Sequence, residues 1–548
     1  MTRPLPAIGV LDGFFWTSGQ DGKLRLQQCS SCGTLRHTPR VVCAKCRSSD
    51  AEIVAVSGHA TVVAFTVNAH QWTPALPPPY VVAIVQIDEQ HDIRLTTNLV
   101  NVEPETARIG LRVRVAFEQH GDTRDADVWL PVFEPNGEPD VEVTVEDDVR
   151  PLVRQPVSTK RFEHDVVLSG VGQSRTGRRL MVDPLSLTVE ACTKAIEDAG
   201  LTFADVDGLA TYPGAEGYAI GHSEGGVTAV EEALQLKPTW INGGGETPGQ
   251  AGSIIAAMLA VSAGLCRHVL VFRTVWESTH AVLGPHPDGS ARLDAEWSKY
   301  RLPYGAFSAA NWIGMYANLY LHKYGVDRTM LGRIATTTRA HAALNPVAIY
   351  KDPISMDDYF NARPVSSPFG LYDCDVPCDG AIAVIVSAAA TAGDLRQPPV
   401  RVNAVGTQIL ERLSWDQGTL THEPQTMGPA AHLWTRTDLT PADVDVALLY
   451  DGFTFNAVSW LEGLGFCEFG GATDFIGDGS TIALGGRLPL NTHGGQLSAG
   501  RTHGFGYIQE AMLQMRGEAG AHQVAGAEVA VATTGGGAPG SAFLLTKW

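Results

Sequence analysis

Four cysteines near the start of the chain stand at the spacing of metal ligands. They form two Cys-X2-Cys pairs with ten residues between the pairs, at Cys29, Cys32, Cys43 and Cys46. Two such pairs can converge on one tetrahedral zinc ion, and four thiolate ligands leave no position open to water. Four unligated thiols or two disulfides are the alternative, but adjacent pairs have poor disulfide geometry and disulfides are rare in a reducing compartment. The spacing therefore predicts a closed, structural zinc site.

Length, charge and hydropathy limit what the rest of the chain can do. The 548 residues are too many for a single core, and the net charge of −19 argues against nucleic acid as a partner. The N-terminus lacks a basic segment followed by a long apolar one, and the most apolar later stretch, 253–264, is too short to span a bilayer. The five remaining cysteines are scattered, as is typical of free thiols. We therefore expect a cytoplasmic protein without a membrane span.

Short β-branched runs follow the cysteine pairs. Four of them, bounded by Pro, Gly and Asp, lie at 60–67, 80–87, 94–100 and 111–117. They predict a small β-barrel. The next segment, 134–160, is at first rich in Pro and acidic residues and shows no helical period, which predicts an extended linker.

The C-terminal part contains an internal repeat. The segment 201–212 reappears as 439–450, and each copy is followed at a similar distance by a glycine turn, at Asn242 and at Asn491. An alanine-rich helical segment and then a strand-like run come after each turn. The repeat predicts a duplicated βαβ architecture with right-handed crossovers.

Several phrases of this part, in family order, resemble the sterol-carrier-protein branch of the thiolase superfamily. They include DCDVPCDGAIAVIV, YDGFTFNAVSWLEGLGFC and GGRLPLNTHGG. The N-terminal part, from GKLRLQQCSSCG to LPVFEP, resembles the zinc-ribbon and OB-fold proteins that accompany thiolase-type enzymes. The implied fold class is α/β: a duplicated, five-layer αβαβα thiolase fold preceded by a rubredoxin-like zinc ribbon and a small OB-fold barrel. The implied domains are an N-terminal segment with the zinc ribbon (1–50), the OB-fold (51–135), a linker (136–160), a thiolase-like half with a loop domain (161–398) and a second half (399–548).

The residues that thiolase chemistry needs are replaced in this sequence. Thr247 stands near the position of the family's nucleophilic Cys, Arg501 stands where the His of the Gly-His-Pro turn would be, and Thr534 belongs to a last glycine loop without its Cys. An acyl-enzyme cannot form without the thiolate. Retro-aldol cleavage of a 3-hydroxyacyl-CoA needs only a base and donors that stabilise the thioester enolate, and helix N-termini and glycine-turn amides can supply those donors. The resemblance and these replacements therefore predict an aldolase-type carbon–carbon lyase that gives a shorter acyl-CoA and a ketone or aldehyde.

Two alternatives stay open at this point. An acyltransferase that recruits Cys374 or Cys378 as its nucleophile is the first. A non-catalytic assembly protein is the second. Steroid side-chain aldolases, which pair with a zinc-ribbon and OB-fold partner, have active sites rebuilt around Tyr and His, and this similarity favours the lyase.

The resemblance also implies site residues. Tyr450 occupies the position of a family His and is the first candidate for the base, although a phenol needs a nearby cation, Arg501 or protonated His503, to ionise at neutral pH. His503 is a candidate acid/base or a turn-stabilising residue, and His493 either polarises the thioester carbonyl or caps its turn. The predicted catalytic residues are Tyr450, Asp451, His493, Arg501 and His503, and the predicted substrate-binding residues are Gly244, Thr247, Gly494 and Gly536.

The implied ligands and partners follow from the same family. Coenzyme A enters as part of the acyl-CoA substrate, and zinc is the structural cofactor. Thiolase folds pair through a sheet edge of the first half, which implies a homodimer, with the barrel against the substrate entrance. A hydratase of the same pathway is a further expected partner.

Overall fold

The computed structural model describes residues 3–121, 127–144, 153–214, 221–223, 226–283, 296–412, 414–535 and 540–548. Gly536 and part of the predicted linker lie outside the described residues. A bilayer-crossing helix, which needs both length and apolar character, does not occur among the helices of the described ranges.

The described residues form nineteen strands and thirteen α-helices. The strands are β1 (Arg25–Cys29), β2 (Leu35–Arg36), β3 (Ala51–Ala55), β4 (His59–Asn68), β5 (Tyr80–Ile87), β6 (Arg94–Leu99), β7 (Arg112–His120), β8 (Val128–Pro135), β9 (Val166–Gln173), β10 (Gly208–Thr211), β11 (Trp240–Gly243), β12 (His268–Trp276), β13 (Pro364–Ser366), β14 (Phe369–Gly370), β15 (Asp379–Ala388), β16 (Val400–Gly406), β17 (Val446–Leu448), β18 (Val529–Thr534) and β19 (Ser541–Lys547). The helices are α1 (Gly13–Trp16), α2 (Pro184–Ala199), α3 (Gly226–Leu234), α4 (Gly252–Ser262), α5 (Glu277–Leu283), α6 (Glu296–Lys299), α7 (Ala309–Tyr324), α8 (Thr329–Ala342), α9 (Met356–Phe360), α10 (Pro424–Leu433), α11 (Thr454–Gly463), α12 (Ala472–Ile476) and α13 (Phe505–Arg516).

The N-terminal module consists of a ribbon and a barrel. Strands β1, β2 and β3 form a small antiparallel sheet that carries the first cysteine pair. Strands β4 to β8 pair in the order β4-β5-β6-β8-β7, and β7 also pairs with the start of β4, which closes the barrel. The predicted β-branched runs all fall on these strands because their alternate side chains fill the barrel interior.

A hairpin of the C-terminal module extends the barrel sheet. Strand β13 lies beside the end of β4, where Ser366 pairs with Asn68. The hydroxyl groups of Thr66 and Ser366 are 2.8 Å apart, and the Asn311 amide of α7 donates to Asn68 Oδ1 at 3.1 Å. All of these polar groups are buried, so the two modules share one continuous interface.

The C-terminal module contains one nine-stranded sheet within the described residues. Its order is β11-β10-β12-β15-β9-β16-β19-β18-β17, and its two halves meet where β9 pairs with the start of β16. Helix α2 covers one face of the first half, and α10 covers one face of the second. Helices α4 and α13 pack against the opposite faces, and α13 contacts strands of both halves.

The predicted repeat is present in the structure. Each copy starts with a one-turn helix whose Thr and Asp side chains cap it reciprocally, Thr202 with Asp205 and Thr440 with Asp443. Each copy then enters a buried parallel strand, β10 or β17. The predicted α/β fold class with a duplicated unit is therefore confirmed.

Candidate active site

The four N-terminal cysteines form a compact cluster. Their sulfur atoms all lie within 4.8 Å of one another, with 3.5 Å between Cys29 and Cys46 and 3.7 Å between Cys32 and Cys43. Tetrahedral bonds of about 2.3 Å to zinc place sulfur atoms about 3.8 Å apart, so the cluster fits this ion. Both pairs sit in equivalent turns, since the backbone N–H groups of Gly33 and Arg47 donate to the carbonyls of Cys29 and Cys43. The predicted structural zinc site is therefore confirmed as a four-cysteine site.

A second group of polar residues lies where turns from both halves of the C-terminal module meet. Tyr450 and Asp451 follow β17, Glu277 follows β12, and Thr534 ends β18. A Cβ on Gly249, just before α4, would lie 2.3 Å from Thr534 Oγ1. The carboxyl ends of parallel strands converge here, which is the usual place for a ligand site in an α/β fold.

The positions of the thiolase nucleophile and acid/base carry hydroxyl groups that are already bonded. Thr247 Oγ1 donates to the carbonyl of Gly249 at 2.6 Å. Thr534 Oγ1 is 2.8 Å from Ser541 Oγ. Neither hydroxyl has a neighbouring base that would activate it among these contacts, so this part of the site offers no nucleophile.

Arg501 binds two carboxylates. Its Nε is 2.7 Å from Glu277 Oε2, and its Nη1 is 3.0 Å from Asp375 Oδ1. Burial acts to raise the pKa of Glu277, but the charge of Arg501 holds that pKa well below its ordinary value. Burial raises the pKa of Asp375 to about 7, although Arg501 opposes the shift. The guanidinium charge is therefore largely matched within the protein.

His503 is a neutral imidazole in this setting. Its Nδ1 accepts a hydrogen bond from Arg273 Nη2 at 2.7 Å, and its ring stacks on His222 with 4.9 Å between centroids. Burial lowers the pKa of His503 well below its ordinary value. Protonated His503 is thus not available as the cation that would help Tyr450 to ionise.

Three of these residues have the spacing of a metal site. Ligand atoms of His222, Glu277 and His503 lie within 4.8 Å of one another. However, the guanidinium groups of Arg273 and Arg501 bind His503 and Glu277 directly. Two adjacent positive charges oppose a metal cation, so the arrangement is a hydrogen-bonded acid/base cluster.

Tyr450 lies beside this cluster as a buried phenol. Its backbone N–H donates to Thr533 Oγ1 at 2.8 Å, and its side chain is 5% exposed. Burial and the charge of Asp375 raise the pKa of Tyr450, and the opposing charge of Arg501 does not cancel the rise. The resting side chain is therefore the phenol, which can donate a proton or a hydrogen bond.

Asp451 holds the glycine turn that precedes α13. Its Oδ1 accepts from the Tyr507 hydroxyl and, at 2.7 Å, from the backbone N–H of Gln496, and its Oδ2 accepts from Asn491 Nδ2 at 2.7 Å. A Cβ on Gly495 would lie 2.0 Å from Asp451 Oδ2. Burial raises the pKa of Asp451 to about 7. These contacts give Asp451 a positioning role in the turn.

The remaining predicted site residues lie around this turn. The His493 ring packs edge-on against Tyr507 with 5.4 Å between centroids, and it borders a cavity of about 590 Å³ with Thr502 and Glu510. A Cβ on Gly494 would lie 2.5 Å from that of Ala342 on α8, so close helix packing requires glycine there. The backbone N–H of Gly244 donates to Asn242 Oδ1 at 3.0 Å. The structure thus brings Tyr450, Arg501 and His503 together and turns His493 towards the cavity.

Neither alternative nucleophile is in a thiolate environment. Burial raises the pKa of Cys374 well above its ordinary value and also raises the pKa of Cys378. A thiol in apolar surroundings is unreactive. The acyltransferase alternative therefore lacks an activated cysteine at these two positions.

Comparison with known proteins follows the same division of the chain. The family model of the ChsH2 rubredoxin-like zinc ribbon domain matches residues 16–52, that of the ChsH2 C-terminal OB-fold domain matches 53–118, and that of the thiolase C-terminal domain-like family matches 418–545. A probable enoyl-CoA hydratase alpha subunit of Thermomonospora curvata is 37% identical over 133 residues, 24% of this chain and 40% of that protein.

The C-terminal part is similar to two curated lyases. The steroid side-chain-cleaving aldolase of Thermomonospora curvata is 33% identical over 386 residues, and the 17-hydroxy-3-oxo-4-pregnene-20-carboxyl-CoA lyase of Mycobacterium tuberculosis is 34% identical over 388 residues. Each match covers 69% of this chain and 97% of the relative. The solved Ltp2-ChsH2(DUF35) aldolase has a TM-score of 0.62 and 32% identity, and the match covers 70% of this chain and 98% of that one. The chain belongs to the family of steroid side-chain-cleaving aldolases within the thiolase superfamily.

The predicted family and the predicted lyase class are confirmed by these relatives. Sequence reasoning did not find Glu277, Arg273 or His222. Arg273 lies within the apolar strand β12, and Glu277 is the first residue of α5, directly after that strand. A charged side chain inside or directly after an apolar strand was the signal available for these two residues.

Proposed function

We propose that this chain cleaves the Cα–Cβ bond of a 3-hydroxyacyl-CoA by a retro-aldol reaction, without a covalent intermediate. One observation carries the proposal. Thr247, at the position of the thiolase nucleophile, is bonded to its own turn, whereas Tyr450 lies beside the hydrogen-bonded acid/base cluster that contains Arg501 and His503. A covalent route needs an activated nucleophile, whereas a retro-aldol route needs only proton transfer and enolate stabilisation.

In the proposed reaction Tyr450 is the proton donor for the carbon that keeps the thioester. The resting phenol can deliver a proton to the enolate carbon as the Cα–Cβ bond breaks. Arg501 and neutral His503 are proposed as hydrogen-bond donors that orient the acyl-CoA, and Asp451 keeps the glycine turn in place for them. Gly244 and Gly494 are proposed to lie along the thioester path.

The relatives support a substrate class. They act on steroid side chains and on a pregnene carboxyl-CoA, as their names state. We propose a branched 3-hydroxyacyl-CoA with a polycyclic or similarly bulky group for this chain. The products are a ketone and a shorter acyl-CoA.

Partners and location are part of the proposal. Strand β11 is the free edge of the first half of the sheet, and its Ile241 is 52% exposed, which supports pairing of two chains there. The match of the N-terminal module to part of a probable hydratase subunit supports a hydratase as partner. None of the nine cysteines forms a disulfide, which supports a reducing cytoplasm as the location.

Mass spectrometry tests the reaction directly. The purified protein is incubated with branched 3-hydroxyacyl-CoA and 3-ketoacyl-CoA esters, each with and without free CoA. Cleavage of hydroxy esters without free CoA is the expected result. Cleavage of keto esters alone, and only when free CoA is present, would mean that the chain is an acyltransferase.

A further inference from the structure

A buried carboxyl on the far side of Tyr450 has no role in the site described so far. Glu423 immediately precedes α10 and is 3% exposed. It occupies the N-cap position, yet its side chain makes no capping hydrogen bond to the helix. Within the described residues, Glu423 Oε2 is buried without a hydrogen-bond partner. Buried carboxylate oxygens are normally paired, so this atom needs an explanation.

Unpaired polar atoms of α11 are buried in the same region. Asn456 Nδ2 and Trp460 Nε1 are buried and, within the described ranges, make no hydrogen bond of normal geometry. Residues four apart lie on one face of a helix, so both side chains share a face of α11. Glu423 packs against this helix, since its backbone N–H is 3.4 Å from Ser459 Oγ. One acceptor and two donors are therefore held in the space between α10 and α11.

The same space reaches Tyr450. A Cβ on Gly535 would stand 3.7 Å from the Tyr450 ring and 3.8 Å from Trp460 Nε1, so Gly535 lies between the two side chains at contact distance from both. The charge of Glu423 is also close enough to contribute to the raised pKa of Tyr450. Tyr450 and Trp460 thus face Gly535 from two sides, and Glu423 lies within electrostatic range of Tyr450.

The other carboxyls near Tyr450 are already engaged. Glu277 and Asp375 bind Arg501, and Asp451 accepts three hydrogen bonds. Burial raises the pKa of Glu423 to about 7, and the Asn456 amide partly opposes the rise. A carboxyl with this pKa exchanges protons readily at neutral pH, which is the property of a general base.

We propose that Glu423 is the general base that removes the proton from the 3-hydroxyl group of the substrate. This inference rests on the proposed lyase reaction and adds a residue to it. In this proposal the Asn456 amide donates to the Glu423 carboxylate, and Trp460 Nε1 donates to the substrate oxygen, so that the polar atoms between α10 and α11 are all paired when substrate is bound.

The proton steps balance without a co-reactant. The O–H bond of the 3-hydroxyl breaks, its proton passes to Glu423, and the C–O bond becomes the carbonyl of the released ketone or aldehyde. The Cα–Cβ bond breaks, its electron pair enters the thioester as an enolate, and the Tyr450 phenol protonates Cα. The phenolate then regains a proton from the Glu423 carboxylic acid, since it is the stronger base.

The test compares Glu423→Gln and Glu423→Asp with the unchanged protein in steady-state cleavage of a hydroxy ester without free CoA. Glu423→Gln keeps the shape of the side chain and should lower kcat by about 10²- to 10⁴-fold, the usual contribution of a general base. The kcat of the unchanged protein should increase as the pH rises through about 7, and the kcat of Glu423→Gln should not show this increase. Glu423→Asp should recover part of kcat.

The groups that surround Glu423 define the controls. Tyr450 and Tyr316 of α7 lie within range of its charge, and the adjacent His422 is paired with Glu462 of α11. The matched control is Glu411→Gln, because Glu411 is another carboxyl of raised pKa, and its partner is Thr419. This variant should keep kcat and the pH profile.

The outcomes separate this inference from the proposed function. Full activity and an unchanged pH profile in Glu423→Gln, with the unchanged protein active, would overturn the role of Glu423 and leave the lyase in place. Failure of the unchanged protein to cleave any hydroxy ester would overturn both.

Discussion

Replacing Arg501 by Met should destabilise the protein in a pH-dependent way. The change removes a guanidinium that is 2.7 Å from Glu277 and 3.0 Å from Asp375 and leaves both carboxylates in a buried site. Removing one partner of a buried ion pair costs about 3–5 kcal/mol because the other charge is left unpaired. We expect a loss of this size in the free energy of unfolding at alkaline pH.

The sign of the pH dependence follows from Asp375. Its folded pKa, about 7, is above its ordinary value of 3.8, so the carboxyl favours the folded state less as the pH rises through that interval. Arg501 opposes the rise, and without it the pKa of Asp375 moves above 7. The loss in the free energy of unfolding of Arg501→Met therefore continues to grow above neutral pH, by up to about 1.4 kcal/mol per pH unit.

Thermal unfolding at about pH 6 and about pH 9 measures this difference. The gap in Tm between the unchanged protein and Arg501→Met should widen at the higher pH. Arg501→Lys is the control, because Lys keeps the charge but cannot bind both carboxylates with a planar fork, and it should fall between the two. An equal Tm for all three proteins at both pH values would show that the two ion pairs do not hold this part of the site.

Four further substitutions test other parts of the structure. Tyr450→Phe should lower kcat for hydroxy-ester cleavage by about 10²- to 10⁴-fold with little change in Tm, and full activity in the same assay would remove Tyr450 from the mechanism. Cys32→Ser should lose zinc by elemental analysis and unfold the ribbon at a lower temperature, whereas retained zinc would contradict the four-cysteine site. Cys374→Ala and Cys378→Ala should each keep cleavage activity, because Cys374 is half-buried, Cys378 is buried and the pKa of both thiols is raised; inactivation of a well-folded variant would favour the acyltransferase.

Local sequence patterns predicted most of the fold. The β-branched runs predicted the barrel strands to within a residue or so at their starts, as at Tyr80–Ile87 and Arg94–Leu99, because β-branched residues favour strands and almost every position of these two is buried. The repeat of 201–212 at 439–450 predicted two equivalent strand entries, since each copy carries its own capping residues. The pairing of β13 with β4 was not predicted, because it joins residues about 300 positions apart with no shared pattern.

The site was predicted less completely for a physical reason. Their positions in family motifs identify Tyr450 and Arg501 as candidate site residues. The protonation state of each, however, depends on charged side chains that belong to other elements of the fold. Glu277 and Asp375 bind Arg501 from separate loops, and they limit its effect on Tyr450. The sequence also gives no signal for a catalytic role of Glu423, because a glutamate followed by a proline is typical of an ordinary helix start. The roles of the individual site residues remain predictions.

The strand that extends the barrel sheet has a consequence for synthesis of the chain. Asn68 and Thr66 leave the ribosome about 300 residues before their partners around Ser366. The end of β4 can pair early with β5 along one edge, but at about 5–20 residues per second its other edge waits about 15–60 s for β13. An unpaired strand edge is a template for aggregation. The nascent N-terminal module therefore spends a defined interval exposed to chaperones and to neighbouring chains, and the late hairpin ends that interval.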